Sequence, residues 1–382
     1  MKSKVMPSAS INPPESVCIL RLSAIGDTCH VLPVVRSLQC AWPTARFTWI
    51  IGRVEAKLFG HIPDIEFIVL DKGSLLKSAR NLAHAMRGRR FDVLMHMQLA
   101  LRASILSTLV PARIRLGFDR ARARELQWLF TTRRIHPRRR QHVLDSLFGF
   151  AEYFQVDRQL RWDIPIPDAA RDYARRIIPD PAVSTLLISP CASHPLRNWR
   201  AEHYAQVADH AVATLGMQVV LCGGRSETER RMGDSILGHM RRECRNTIGQ
   251  DTLLEFLATI ERAAVLLTPD SGPAHMAGAV GTPVIGLYAA TNPARSGPYL
   301  SRQWCVDQYD AAARKYHGKP AAKLPWTTKI ERAGVMDLIT PEQVIRKLHD
   351  LLESPVCRGR TDGRTDSSAS VTTQSPGRPA AS

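Results

Sequence analysis

The stretch Leu266–Tyr288, LLTPDSGPAHMAGAVGTPVIGLY, constrains the fold more than any other part of the chain. It reads as a buried strand, a small-residue turn, a helix and a second buried strand, the unit from which parallel sheets are built. Asp270, Ser271 and Gly272 fall where the first strand hands over to the helix. Unpaired backbone N–H groups and the positive end of the helix dipole favour an anion there. Gly272 permits close backbone approach, Pro273 suits the first helical turn, and His275 follows about one turn in. The alternative is an ordinary connection in which Asp270 caps the helix.

Val17–Leu32, VCILRLSAIGDTCHVL, repeats the logic near the other end of the chain. An apolar strand, Val17–Leu22, runs into Ser23-Ala24-Ile25-Gly26-Asp27, where a helix begins. Asp27 is either an N-cap or a carboxylate at the carboxyl end of a parallel strand, where open α/β sheets bind ligands. The turn is neither G-x-G-x-x-G nor G-x-x-x-x-G-K-[ST], which disfavours a standard dinucleotide or ATP site.

Between and around these motifs the chain alternates strands and helices twice over. Strands are expected at Val17–Leu22, Arg46–Ile51, Phe67–Leu70, Val93–Met97 and Ile114–Gly117, with helices at Val31–Cys40, Lys77–Arg87, Ala103–Leu109 and Val143–Phe154. A proline-bearing linker, Trp162–Pro167, precedes a second series of strands at Thr185–Ser189, Gln218–Cys222, Ala264–Thr268 and Val284–Leu287. Its helices are Ala201–Leu215, Glu227–Arg241 and Leu253–Arg262. Two doubly wound α/β domains follow, 17–180 and 181–340, facing a cleft lined by one informative turn from each. Residues 1–16 are expected to be flexible. Trp304–Lys329 reads as an irregular insertion loop, and Pro341–Leu352 as a final amphipathic helix. The Ser/Thr/Gly/Arg/Pro-rich tail, 354–382, should be disordered.

The chain of 382 residues carries a net charge of +17, unevenly spread. Residues 1–160 hold 25 Lys and Arg against 12 Asp and Glu; residues 161–382 hold 27 against 23. Ten arginines fall within Arg113–Arg140, against only Asp119 and Glu125. Such a run is a solvated face or a surface for an anionic membrane, an anionic substrate or nucleic acid. No helix-turn-helix, zinc finger or aromatic RNA-binding motif accompanies it, so nucleic acid is not the expected partner. The eight cysteines are scattered, with no C-x-x-C and no zinc spacing, so no structural metal is expected. There is no apolar run of membrane-spanning length and no signal-peptide core near residue 1, so a reduced, cytoplasmic protein is expected.

Two further turns complete the candidate site. Ser189–Trp199, SPCASHPLRNW, offers Ser193 and the positive charge of Arg197 to an anion, or is simply a surface loop. Gly223–Glu229, GGRSETE, permits backbone approach and supplies acids for ribose hydroxyls, or is simply a solvated helix start.

Taken together the motifs LSAIGD, R-N-W (where K-x-W is frequent), DSGPAH and GTPVIGLYAATNP resemble glycosyltransferase family 9, the ADP-heptose:lipopolysaccharide heptosyltransferases, across roughly residues 17–350. The likeness is greatest to its type I members. It implies a GT-B fold with two Rossmann-like domains, and an inverting transfer that needs neither metal nor cofactor. It also implies a last helix (341–353) that returns to the first domain. Asp27 would be the general base; Ser193, Arg197, Asp270, Ser271, Gly272 and His275 would bind the donor, and Glu229 its ribose, ahead of Glu227. The implied partners are an ADP-sugar and an anionic lipopolysaccharide precursor on the cytoplasmic face of the inner membrane. Gln98 and Arg102 match an acceptor-side Q-x-x-x-K pattern, with Leu99 in place of a frequent Gly, and Arg120 and Arg124 match an acceptor-binding arginine segment. Three other readings compete. These are a family 9 transferase with another sugar donor or a later core acceptor, a non-catalytic nucleotide-sugar binder, and a basic α/β protein that binds nucleic acid.

Overall fold

The computed structural model describes residues 13–71 and 73–355. The expected tail from 356 onward and the first 12 residues lie outside that range.

The first sheet contains β1 (Ser16–Leu20), β2 (Arg46–Gly52), β3 (Ile65–Leu70), β4 (Phe91–His96), β5 (Ala112–Gly117) and β6 (Arg133–Arg134) in the order 3-2-1-4-5-6. The second contains β7 (Thr185–Ile188), β8 (Gln218–Leu221), β9 (Arg245–Asn246), β10 (Val265–Pro269), β11 (Val284–Tyr288) and β12 (Val306–Asp307) in the order 12-11-10-7-8-9. Counted from its own first strand, the second sheet has the same topology as the first. All pairings are parallel; Cys18 sits between Thr48 and Leu94, and Leu266 between Leu187 and Val284. Strands β1, β7, β10 and β11 are buried along their whole length, which is why they read as continuous apolar runs. In this topology the crevices for ligands open where the strand order reverses, beyond β1 and β4 and beyond β7 and β10. Both informative turns leave those strands.

The first helix spans Ile25–Ala41, starting well before Val31 and taking in Asp27 and Pro33. Pro33 has no N–H to give Cys29, and the Trp162 indole N–H donates to the Cys29 carbonyl instead, at 2.8 Å. That bond pins the linker to the first domain.

Three expectations are corrected. The final helix, Pro341–Glu353, does not return to the first domain: Val344, Leu348 and Leu351 are buried in the second domain's core, against the helix Ala201–Ala213 and strands β11 and β12. Its apolar stripe joins Ala205, Ala208 and Ala211 in one core, and the His210 and His349 Nε2 atoms meet at 2.9 Å. The helix Asp168–Ile177 also packs on the second domain, along Leu253–Arg262, with Arg171 and Glu261 3.2 Å apart, so the crossover lies near 162–167 rather than at 180. Residues 304–329 are not irregular throughout. A helix, Tyr309–His317, buries Tyr309, Ala312 and Ala313 and ends at Gly318, whose φ of +66° suits a glycine.

Candidate active site

The N-terminal wall of the cleft is built by the turn after β1. Leu22 and Ser23 donate their N–H groups to the Gln98 side-chain oxygen, at 3.0 and 3.3 Å. Arg21 is almost fully buried, donates to the carbonyls of Ser23 (2.8 Å) and Met97 (2.6 Å), and pairs with Asp27. Asp27 therefore does not cap its helix: the N-cap is Ala24, with no side-chain bond. Its carboxylate is 41% exposed; Oδ2 is held by Arg21, and Oδ1 has no protein partner among the described residues.

The facing wall is the turn after β10. Ser271, not Asp270, is the N-cap of the helix Gly272–Ala279, and no side chain caps it, because the Ser271 hydroxyl bonds Thr268 Oγ1 at 2.8 Å. The first-turn N–H groups of Gly272 and Ala274 thus have no capping partner. The two helix starts converge, since a Cβ on Gly272 would lie 3.8 Å from the Gly26 nitrogen.

Two loops of the second domain complete the cleft. In Ser189–Trp199 the Asn198 side chain accepts from Ala192 N–H at 2.8 Å, and the fully buried Trp199 donates to Ile339 O at 3.0 Å. This presents Arg197, but its guanidinium is already engaged: Nε and Nη2 reach Glu331 Oε1 at 2.9 and 2.7 Å, and Nη1 lies 3.7 Å from Asp270. Glu229 accepts from Gly224 N–H (2.7 Å) and the Ser226 hydroxyl (2.6 Å), which shapes the glycine turn. The open cleft measures about 830 Å³; Asp27, Arg124, Ser193, Arg197, Glu229, Asp270, Ser271, Gly272 and His275 all line it.

His275 lies at the domain seam, partly buried at the edge of the cleft, with its Nδ1 unpartnered and its ring 4.4 Å from that of His30. His30 in turn stands 5.4 Å from His142, which donates to Gly297 O at 2.9 Å. A Cβ on Gly26 would approach His275 Cδ2 to 2.5 Å. Gly26→Ala therefore pushes a methyl into a packed ring at the seam. A loss of about 1–3 kcal/mol in denaturant unfolding is expected, with a fall in transfer rate beyond what the unfolded fraction explains.

Three expected acceptor residues do not line the cleft. Gln98 turns inward to hold the β1 turn, Arg102 reaches Asp71 O at 3.2 Å, and Arg120 stacks on Trp128 at 5.1 Å. The arginine-rich segment is not simply a solvated face. Arg115 binds the carbonyls of Ser107, Val110 and Phe130, and Arg122 binds Asp119, Gln141, Ser146 and His136. Arg124 and Arg140 cross to the second domain, at Thr327 Oγ1 (2.7 Å) and Ala322 O (2.5 Å), beside the Trp326 indole, which donates to Gln141 O at 2.8 Å. Sequence reasoning missed Arg21, Glu331, Arg295 and Lys329; the last two line the cleft. Arg295 lies two residues beyond the Asn-Pro of GTPVIGLYAATNP, the one local signal that pointed to it. Among the described residues no cluster of His, Cys, Asp and Glu is arranged to hold a metal, and no helix is long and apolar enough to cross a membrane.

With that geometry in place, the comparisons with known proteins fall on the same ground. The family profile of glycosyltransferase family 9 (heptosyltransferase) matches residues 79–325. The lipopolysaccharide core heptosyltransferase OpsX of Haemophilus influenzae is 40% identical over 339 residues, 88% of this chain and 97% of that protein. Among solved structures, the family 9 glycosyltransferase of Veillonella parvula aligns with a TM-score of 0.73 at 23% identity, covering 89% of this chain and 98% of that one. The E. coli ADP-heptose lipopolysaccharide heptosyltransferase II aligns at 0.67 and 20%, covering 88% and 98%. These two likenesses show the fold, two parallel six-stranded sheets with helices in the GT-B arrangement. The profile and the OpsX identity together establish that the chain belongs to glycosyltransferase family 9 and is a glycosyltransferase.

Proposed function

We propose that this protein transfers a heptosyl group from ADP-heptose to the Kdo-bearing inner core of a lipopolysaccharide precursor. The observation that carries this reading is the convergence of Asp27 with the uncapped helix start at Ser271–Gly272 across one cleft. The relatives' names supply the sugar and the acceptor class: a lipopolysaccharide core heptosyltransferase and an ADP-heptose lipopolysaccharide heptosyltransferase.

In this reading Asp27 takes the proton of the acceptor hydroxyl as that oxygen attacks the anomeric carbon. Arg21 holds one carboxylate oxygen and leaves the other for the proton. ADP departs on the opposite face, so one displacement inverts the anomeric centre, and no metal is required. The N–H groups of Gly272 and Ala274, with Ser193 and Ser271, receive the diphosphate, where fixed donors gain strength as charge develops. Asp270 fixes Arg197 on the facing loop, and His275 closes the seam behind the donor. Glu229 has used two of about four acceptor positions, leaving the rest for ribose hydroxyls. Arg124 at the cleft, with Arg102 and Arg120 near the carboxyl ends of β4 and β5, faces the anionic acceptor and the cytoplasmic membrane surface that carries it. Nucleic acid has no role in this reading.

Calorimetric titration without added metal tests the donor. ADP-heptose and ADP should bind while UDP-glucose, GDP-mannose and NAD do not; selective binding of another nucleotide sugar would overturn the heptose assignment.

A further inference from the structure

Arg197 is the basic residue of the R-N-W loop, yet its fork is closed by Glu331 at 2.9 and 2.7 Å with Asp270 at 3.7 Å. A guanidinium shared by two carboxylates has little positive charge left to offer a ligand. Two other cations line the same cleft, Arg295 and Lys329. Among the described residues, no carboxylate lies within ion-pair distance (4.0 Å) of either one.

Both are delivered to the cleft by well-tied backbone. Arg295 belongs to the short turn of helix Pro293–Ser296 after β11, capped by Asn292, whose side chain accepts from Ala294 N–H at 3.0 Å. Lys329 precedes Ile330, whose N–H donates to Ala290 O at 2.7 Å. The same segment is fastened to the first domain through Trp326 and Thr327. The Lys329 ammonium feels the charge of Arg295, and both side chains feel Asp270. Burial holds the Arg295 guanidinium below its ordinary value, with Asp27 and Asp270 opposing. Partial burial, then Arg197, lowers the Lys329 ammonium. Among the described residues neither cation has a carboxylate in contact; Arg295 is half-buried, and a polyanion placed beside it offsets that desolvation, while Lys329 stands exposed at the cleft.

We propose that Arg295 and Lys329 form the cationic half of the diphosphate site, meeting the phosphates of a nucleoside-diphosphate donor opposite the free N–H groups at Gly272 and Ala274. The inference rests on the donor reading above and reassigns its main positive charge from Arg197. Arg295 bridges phosphate oxygens with its fork, and Lys329 adds a point charge from the segment that crosses to the first domain.

Calorimetry with ADP, AMP and adenosine on the full chain tests this. Arg295→Met and Lys329→Met should each weaken ADP by about 10- to 100-fold, the range for charged hydrogen bonds. Adenosine affinity should stay within about twofold, and Arg295→Lys should recover most of the loss. Arg295→Gln serves if the Met variant fails to fold. Arg197→Met should instead lower thermal stability, since it strands Glu331. ADP binding within about twofold of the parent in the double Met variant would overturn the inference alone. Absence of ADP binding by the unaltered chain would overturn the donor reading and the inference together.

Discussion

Asp27→Asn should reduce the turnover number for transfer by about 10²- to 10⁴-fold, the usual contribution of a positioned general base. ADP affinity should change by less than about twofold, because the amide keeps the shape of the side chain and does not touch the second domain's turns. The fold should survive. Asp27 caps no backbone N–H, and Arg21 retains its bonds to Ser23 O and Met97 O after the carboxylate is gone. The substitution therefore separates the two readings of this residue: a structural carboxylate would cost stability and spare chemistry. A loss of kcat equal to the loss of folded protein in the same buffer would count against the base.

The second large effect is acid sensitivity. Burial holds His142 near 4 and His96 near 3, against an ordinary value of 6.5, and lowers His30 and His275 as well. His30 is faced by His275, His142 and Arg21, all of which disfavour its charge, and neither of its ring nitrogens has a partner. These groups are neutral when folded and bind a proton near 6.5 when unfolded. Their stabilising contribution is complete above pH 6.5 and is lost as pH falls from 6.5 toward the folded values. Each such histidine contributes about 1.4 kcal/mol per pH unit within its window. Asp251, raised by burial to about 7, opposes them as one group. The urea midpoint should thus drop steeply between pH 6.5 and 5 at constant m. His30→Leu, which removes a buried titrating ring and no hydrogen bond, should flatten that slope by about one proton. An unchanged slope in the variant would show that His30 does not carry a share.

What was legible in the sequence follows what is local in the structure. The turns bearing Asp27 and Ser271–Gly272 are contiguous motifs beside continuous apolar strands, so their place at the sheet ends, on one cleft, could be read directly. Arg197 was found the same way, but its partner Glu331 lies 134 residues on, and no spacing rule connects them. Gln98 was read toward the acceptor by resemblance; the structure turns its amide onto Leu22 and Ser23 because the β1 turn needs an acceptor there. The amphipathic pattern of 341–353 announced a helix but not its dock, since the stripe of Val344, Leu348 and Leu351 would suit either core. Arg115 and Arg122 looked like surface charge, because nothing local announces the carbonyls and carboxylate they serve.

The most direct test of the account is mass spectrometry of Kdo–lipid A incubated with ADP-heptose and the full chain. The account predicts an acceptor one heptosyl group heavier, formed by the unaltered chain and nearly absent with Asp27→Asn. No adduct from a folded, ADP-binding chain, or an equal yield from Asp27→Asn, would contradict it.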